Sequence, residues 1–166
     1  MTYTVSANYP GGAESAVSNA LYFQAPIQLP YEEGFESGTQ GWDTENSSFN
    51  WTLGNTAQHK ISGNDGLFFG ISSAYADENA HVTDYLYTPS IDLAEYQGQT
   101  VTLQFAHAFR VYMNYDKFKV LYREDASAEW ISIADLAATS SNRWIWKDIE
   151  VELPQEALVD GVQIGF

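Results

Sequence analysis

Three groups of acidic side chains are spaced closely enough to gather a hard cation. Glu33 and Glu36 lie in one short segment, Asp43 and Glu45 follow Trp42, and Asp77, Glu78 and Asp84 flank one loop. Calcium takes about six to eight oxygens from carboxylates, amides and backbone carbonyls gathered by loops. On that chemistry Glu36, Asp43, Glu45, Asp77 and Asp84 are the candidate metal ligands, and calcium is the expected ion. None of the groups has EF-hand spacing, and a solvated carboxylate face is the alternative for each. A second chemistry sits in the linker where Arg110 precedes Tyr112, Met113 and Tyr115. A tyrosine-rich loop with one guanidinium can grip a sugar ring or a peptide. Tyr75 offers a second such position, so Arg110, Tyr112, Tyr115 and Tyr75 are the candidate ligand-binding residues. For catalysis the chain offers little. His59, His81 and His107 have no metal-ligand spacing, there is no H-E-x-x-H or G-x-S-x-G motif, and cysteine is absent. Paired carboxylates could in principle hydrolyse glycosides, but 22 scattered acids make chance pairs common. The chain reads as a non-enzyme.

Something must hold these residues in place. The chain has 166 residues, 45% of them hydrophobic, with 25 aromatic side chains that cannot all stay solvated, so it folds rather than forming a disordered tail. Acids outnumber bases 22 to 7, a net charge of −15 that repels nucleic-acid phosphate and anionic membrane. The imbalance is concentrated: residues 1–100 carry twelve acids and a single base, Lys60. That half is where a cation would bind. No run approaches the roughly 20 apolar residues of a membrane helix, so no membrane insertion is expected.

Period-2 alternation, broken by Gly, Asn, Asp, Ser and Pro, runs through most of the chain and predicts an all-β fold. In 100–110, Val101, Leu103, Phe105, His107 and Phe109 share one face. In 117–123, Phe118, Val120 and Tyr122 do so, and 123–129 turns the chain into a hairpin partner at 130–133. In 144–153, Ile145, Ile149, Val151 and Leu153 point inward, and Pro154 ends the strand. A last strand covers 162–166. Only 93–97 and 133–139 look helical, about one turn each. His107 on its apolar face is expected in the core, as are Trp42, Trp51, Trp130 and Trp144.

The first residues read differently. Tyr3-Thr-Val-Ser-Ala-Asn8, a Gly-rich loop, and Glu14-Ser-Ala-Val-Ser-Asn19 with Leu21 and Tyr22 resemble the last two strands of a fibronectin type III domain. Five of the seven strands are absent, so residues 1–23 form a C-terminal fragment without a core of its own. Residues 24–30, closing at Pro30, read as a linker.

From residue 31 the motifs come in order. Tyr31-Glu-Glu-Gly-Phe-Glu-Ser-Gly38, Gly41-Trp42, Phe49-Asn-Trp51, Asp84-Tyr-Leu-Tyr-Thr-Pro-Ser-Ile-Asp-Leu93, Tyr115-Asp-Lys-Phe-Lys-Val-Leu-Tyr122, and Lys147-Asp-Ile-Glu-Val-Glu-Leu-Pro154 together resemble the cleaved-adhesin or MAM-like domains of secreted bacterial proteins. The resemblance implies a two-sheet jelly-roll sandwich over 31–166, lacking its last strand. It also implies a non-catalytic, extracellular or cell-surface adhesion module that recognises host protein or glycan. Other domains of the same polypeptide would be further partners. Glu36 falls in the F-E motif, which makes it the strongest single metal candidate. Where some relatives carry a D-x-D-G-D loop, this chain reads Asp43-Thr-Glu-Asn-Ser-Ser48, with fewer oxygen donors. A structural spacer attached to a secreted peptidase or glycan-degrading enzyme is the alternative.

Overall fold

Alternation fixes which side chains of each strand face inward, and register fixes which of them meet. The computed structural model of the chain describes residues 2–3, 21–22, 27–45, 51–54, 68–71, 83–108, 116–136 and 145–166. Their strands are β1 (Thr2–Tyr3), β2 (Leu21–Tyr22), β3 (Asp43–Glu45), β4 (Trp51–Gly54), β5 (Phe68–Ile71), β6 (Tyr85–Tyr87), β7 (Ile91–Asp92), β8 (Thr102–His107), β9 (Lys119–Arg123), β10 (Ile131–Asp135), β11 (Lys147–Glu152) and β12 (Asp160–Gly165). Among the described residues there is no α-helix and no closed barrel; the fold is all-β and its sheets are antiparallel. The main sheet has six strands in the order β10-β9-β12-β6-β3, with β7 pairing the other stretch of β12. A second, two-stranded sheet joins β8 to β11 over six residue pairs, from Lys147↔His107 to Glu152↔Thr102. β1 with β2 and β4 with β5 form two further pairs.

The core lies between the six-stranded sheet and the β8–β11 pair. Val120 and Tyr122 of β9 and Val162 and Ile164 of β12 face Val101 and Leu153, with Leu103, Phe105, Ile149 and Val151 packed against them. On β8 the alternation holds: Thr102 and Gln104 are exposed and His107 is buried. An aromatic chain crosses the same interior. Trp42 stacks on Phe166 at 6.0 Å, Phe166 meets Phe105 edge-on at 5.0 Å, and His107 lies between Phe105 and Phe118 at 5.8 and 6.0 Å. Burial among these rings, with Lys147 opposite in register, holds the His107 imidazole below its ordinary value of 6.5.

Two short 3-10 turns, Ala94–Tyr96 and Gln155–Ala157, clasp each other through glutamines. Gln97 donates to the carbonyls of Leu158 at 2.6 Å and Gln155 at 3.1 Å. In return the Gln155 side chain accepts from Gly98 N–H at 2.8 Å and donates to the Gln99 carbonyl at 2.9 Å. The hairpin between β9 and β10 is closed by Asp125, whose carboxylate accepts from Ser127 N–H and Oγ and from Ala128 N–H. These bonds hold its carboxyl below the usual range.

Several sequence expectations change. The helical turn expected over 133–139 is strand as far as Asp135, because Ile131–Asp135 has a partner in β9 that local propensity cannot see. Ile145, expected inward, is 65% exposed because β11 begins only at Lys147. Within the expected linker, Ile27 bridges to Ile91 and Leu29 packs on the core, so 27–30 is tied to the sheet. β1 and β2 pair as Thr2↔Tyr22 and Tyr3↔Leu21; residues 4–20, the rest of the expected hairpin, lie outside the described residues.

Candidate functional site

The face of the six-stranded sheet turned away from the core carries its own polar and aromatic set. Alternation places Asp43 and Glu45 of β3, Tyr85 and Tyr87 of β6, Gln163 and Gly165 of β12, and Leu121 and Arg123 of β9 on that side. Asp43↔Tyr87, Glu45↔Tyr85, Tyr87↔Gly165 and Gln163↔Arg123 are direct cross-strand partners. Arg123 is the centre. Its guanidinium donates from Nε to Gln163 Oε1 at 2.8 Å and from Nη1 to Glu45 Oε1 at 3.0 Å. The same group lies 4.3 Å from the Trp130 ring centre and 4.8 Å from that of Tyr87, cation–π distances. Only 8% of the Arg123 side chain is exposed, against 47% for Glu45. Gln163 passes the network on, donating to the Thr88 carbonyl at 3.0 Å, while Thr88 Oγ1 accepts from Ile164 N–H.

Trp130 reaches across β9 to rest on Gly165. A Cβ at Gly165 would stand 2.7 Å from the indole, so only glycine leaves room for the ring. The ring then stacks on Tyr85 at 5.4 Å with planes 16° apart and meets Tyr87 at 5.9 Å. The expectation that Trp130 packs in the sandwich core is therefore corrected: it packs on the opposite face, because a bare glycine and a buried guanidinium accept it there. Burial raises the Tyr87 hydroxyl above its ordinary value, and the Asp43 and Glu45 carboxylates raise it further.

The metal candidates fall as follows. Asp43 and Glu45 stand two residues apart on β3, but Asp43 accepts from Thr44 N–H and shares a hydrogen bond with Tyr87, and Glu45 pairs with Arg123. Glu36 is exposed in the loop between Tyr31 and Trp42, where Phe35 and Gln40 take left-handed φ of 61° and 47°. Phe35 N–H donates to Glu33, the Phe35 ring meets Trp42 edge-on at 5.1 Å, and Trp42 Nε1 donates to the Tyr31 hydroxyl at 2.8 Å. Those contacts offset the cost of a non-glycine residue at positive φ. Asp84 sits half-buried at the start of β6. Among the described residues no three acidic or histidine side chains converge into a cation shell. Asp77, and the ligand candidates Tyr75, Arg110, Tyr112 and Tyr115, lie outside the described residues.

No protein family, curated protein or solved structure matches this chain.

The site must then be read from its own geometry. Arg123, Gln163, Tyr85, Tyr87 and Gly165 are absent from the sequence-derived candidates, since nothing local marks them. The available signal was Arg123 on the strand face opposite Val120 and Tyr122, a cation within a period-2 strand. The arrangement is aromatic and hydrogen-bonded around one buried guanidinium.

Proposed function

We propose that this chain is a non-catalytic binding module of jelly-roll type, one segment of a secreted or cell-surface protein, recognising a host protein or glycan. The observation that supports it is the preorganised cluster on the outer sheet face. Tyr85, Tyr87 and Trp130 are half-buried, Arg123 packs on Tyr87 and Trp130, and Tyr85 stacks on Trp130, so ordering them on binding costs little further entropy. Calcium bracing of loops belongs to the same proposal and rests on the excess of twelve acids over one base in residues 1–100. The test is a screen of the purified chain against glycans and extracellular-matrix proteins, repeated with Tyr85→Ala, which is expected to weaken binding without unfolding the domain.

A structural spacer is the second reading. What favours it is that Nε and Nη1 of Arg123 are both committed to the protein's own groups, so the cluster can serve solely to join β3, β9 and β12. A spacer keeps its fold in the screen and captures nothing.

A further inference from the structure

β12 changes partners along its length. Its first stretch pairs with β7 as Asp160↔Asp92 and Val162↔Ile91, and its second pairs with β9 and β6. Two steps along β12 match one along β7, so Gly161 is the extra residue of a β-bulge. Its φ is 86°, in the region that a side chain disfavours and glycine occupies freely. The bulge thus calls for glycine, and the residue before it is an exposed aspartate. That order has a chemical consequence. The backbone nitrogen that follows an aspartate can attack the aspartate's own carboxyl carbon, and a side chain on the following residue crowds the approach. Glycine leaves it open. The chain has two Asp-Gly pairs, Asp65-Gly66 and Asp160-Gly161, and the second lies at this bulge.

We propose that Asp160 isomerises spontaneously to isoaspartate in the folded protein and that the conversion releases β7 from β12. The Gly161 nitrogen bonds to Cγ of the protonated Asp160 carboxyl, the bond from Cγ to its hydroxyl breaks, and that hydroxyl leaves with the amide proton as water. The product is a five-membered succinimide. Water then adds back: breaking the new Cγ–N bond restores aspartate, and breaking the original bond from the Asp160 carbonyl carbon to nitrogen gives isoaspartate, whose main chain runs through Cβ and Cγ. Nothing is oxidised or reduced, and water is the sole co-reactant. A bulge residue at the start of a strand reaches the ring geometry by local opening, without global unfolding. The isoaspartyl chain carries one extra main-chain carbon ahead of Gly161. That carbon falls between the Val159 carbonyl, which accepts from Leu93 N–H at 3.0 Å, and the Val162↔Ile91 pair. The β7 pairing therefore straddles the insertion, whereas the pairings to β9 and β6, from Gln163 onward, lie wholly after it.

The test holds the whole chain folded in neutral buffer and, in parallel, unfolded in urea, with samples taken over weeks. Trypsin cleaves after Lys147, so residues 148–166 come off as one peptide that separates Asp160 from the Asp65-Gly66 pair. Isoaspartate is read in that peptide by isoaspartyl methyltransferase labelling and by fragment ions. Asp160→Glu, which keeps the charge but would have to close a six-membered ring, is the control. Isoaspartate at position 160 is expected to accumulate in the folded protein at a rate within about tenfold of the unfolded chain. A succinimide peptide lighter by one water should precede it, and Asp160→Glu should form neither. In the converted protein the Leu93 amide should lose its protection from hydrogen exchange, while the Thr88 amide, which donates to the Ile164 carbonyl, keeps its own. A folded protein that stays unconverted while the unfolded chain converts would overturn the proposal, as would equal conversion in Asp160→Glu or unchanged protection at Leu93 in the converted form.

Discussion

Arg123 shows how one side chain can matter through packing more than through charge. Its ion-pair partner Glu45 is nearly half-exposed, and such a pair is worth about 0–1 kcal/mol. Its hydrogen bond to Gln163 and its contacts with two rings are buried with it. Arg123→Ala should therefore destabilise the domain by about 2–4 kcal/mol, and Glu45→Gln by less than about 1 kcal/mol, in chemical denaturation. Equal losses would mean that the ion pair dominates. Gly165→Ala should cost about 1–3 kcal/mol and shift the tryptophan emission, since the new methyl must displace the Trp130 ring. His107 gives a pH signature. Its folded pKa is depressed, so the unfolded chain binds the extra proton first as acid is added. The stability it contributes is complete above the ordinary value of 6.5 and declines as pH falls from there toward the folded pKa. His107→Gln should flatten the melting temperature in that window; an unchanged slope would remove His107 from the account.

Between elements, the most specific link is the glutamine clasp joining the turns at Ala94–Tyr96 and Gln155–Ala157. Gln155→Ala removes two side-chain bonds, to Gly98 N–H and the Gln99 carbonyl, and at about 1 kcal/mol each should cost about 1–2 kcal/mol. Denaturation within a few tenths of wild type would show that solvent replaces them. Such links are where sequence reading stops. Strands with clean alternation are legible: Val101, Leu103 and Phe105, or Val120 and Tyr122, declare an inward face through period 2 alone. The six-stranded order, which sets Gln163 beside Arg123 and Tyr87 beside Gly165, is not, because register between strands 40 or more residues apart leaves no local trace. The candidate site suffered most. Carboxylates at 43 and 45 were visible as donors, but their engagement by Tyr87 and Arg123 depends on strands contributed from far along the chain.

At the scale of the whole molecule, a net charge of −15 is self-repelling and must be relieved by counterions, internal bases or a partner. Arg123 and Lys117, from the half of the chain that holds six of its seven bases, pair with Glu45 and Asp135. If calcium braces the acidic first half, a chelator should lower the melting temperature and added calcium should restore it, since a ligand bound only to the folded state stabilises by mass action. Identical melts with and without chelator would contradict that part of the proposal. The central claim is that the rigid outer face of an all-β sandwich-like domain exists to bind. The most direct measurement is saturable binding of the folded chain across glycans and extracellular-matrix proteins. The account predicts a small set of partners whose binding saturates and weakens on Tyr85→Ala; a folded chain that binds none of them, or binds equally after that substitution, would contradict it.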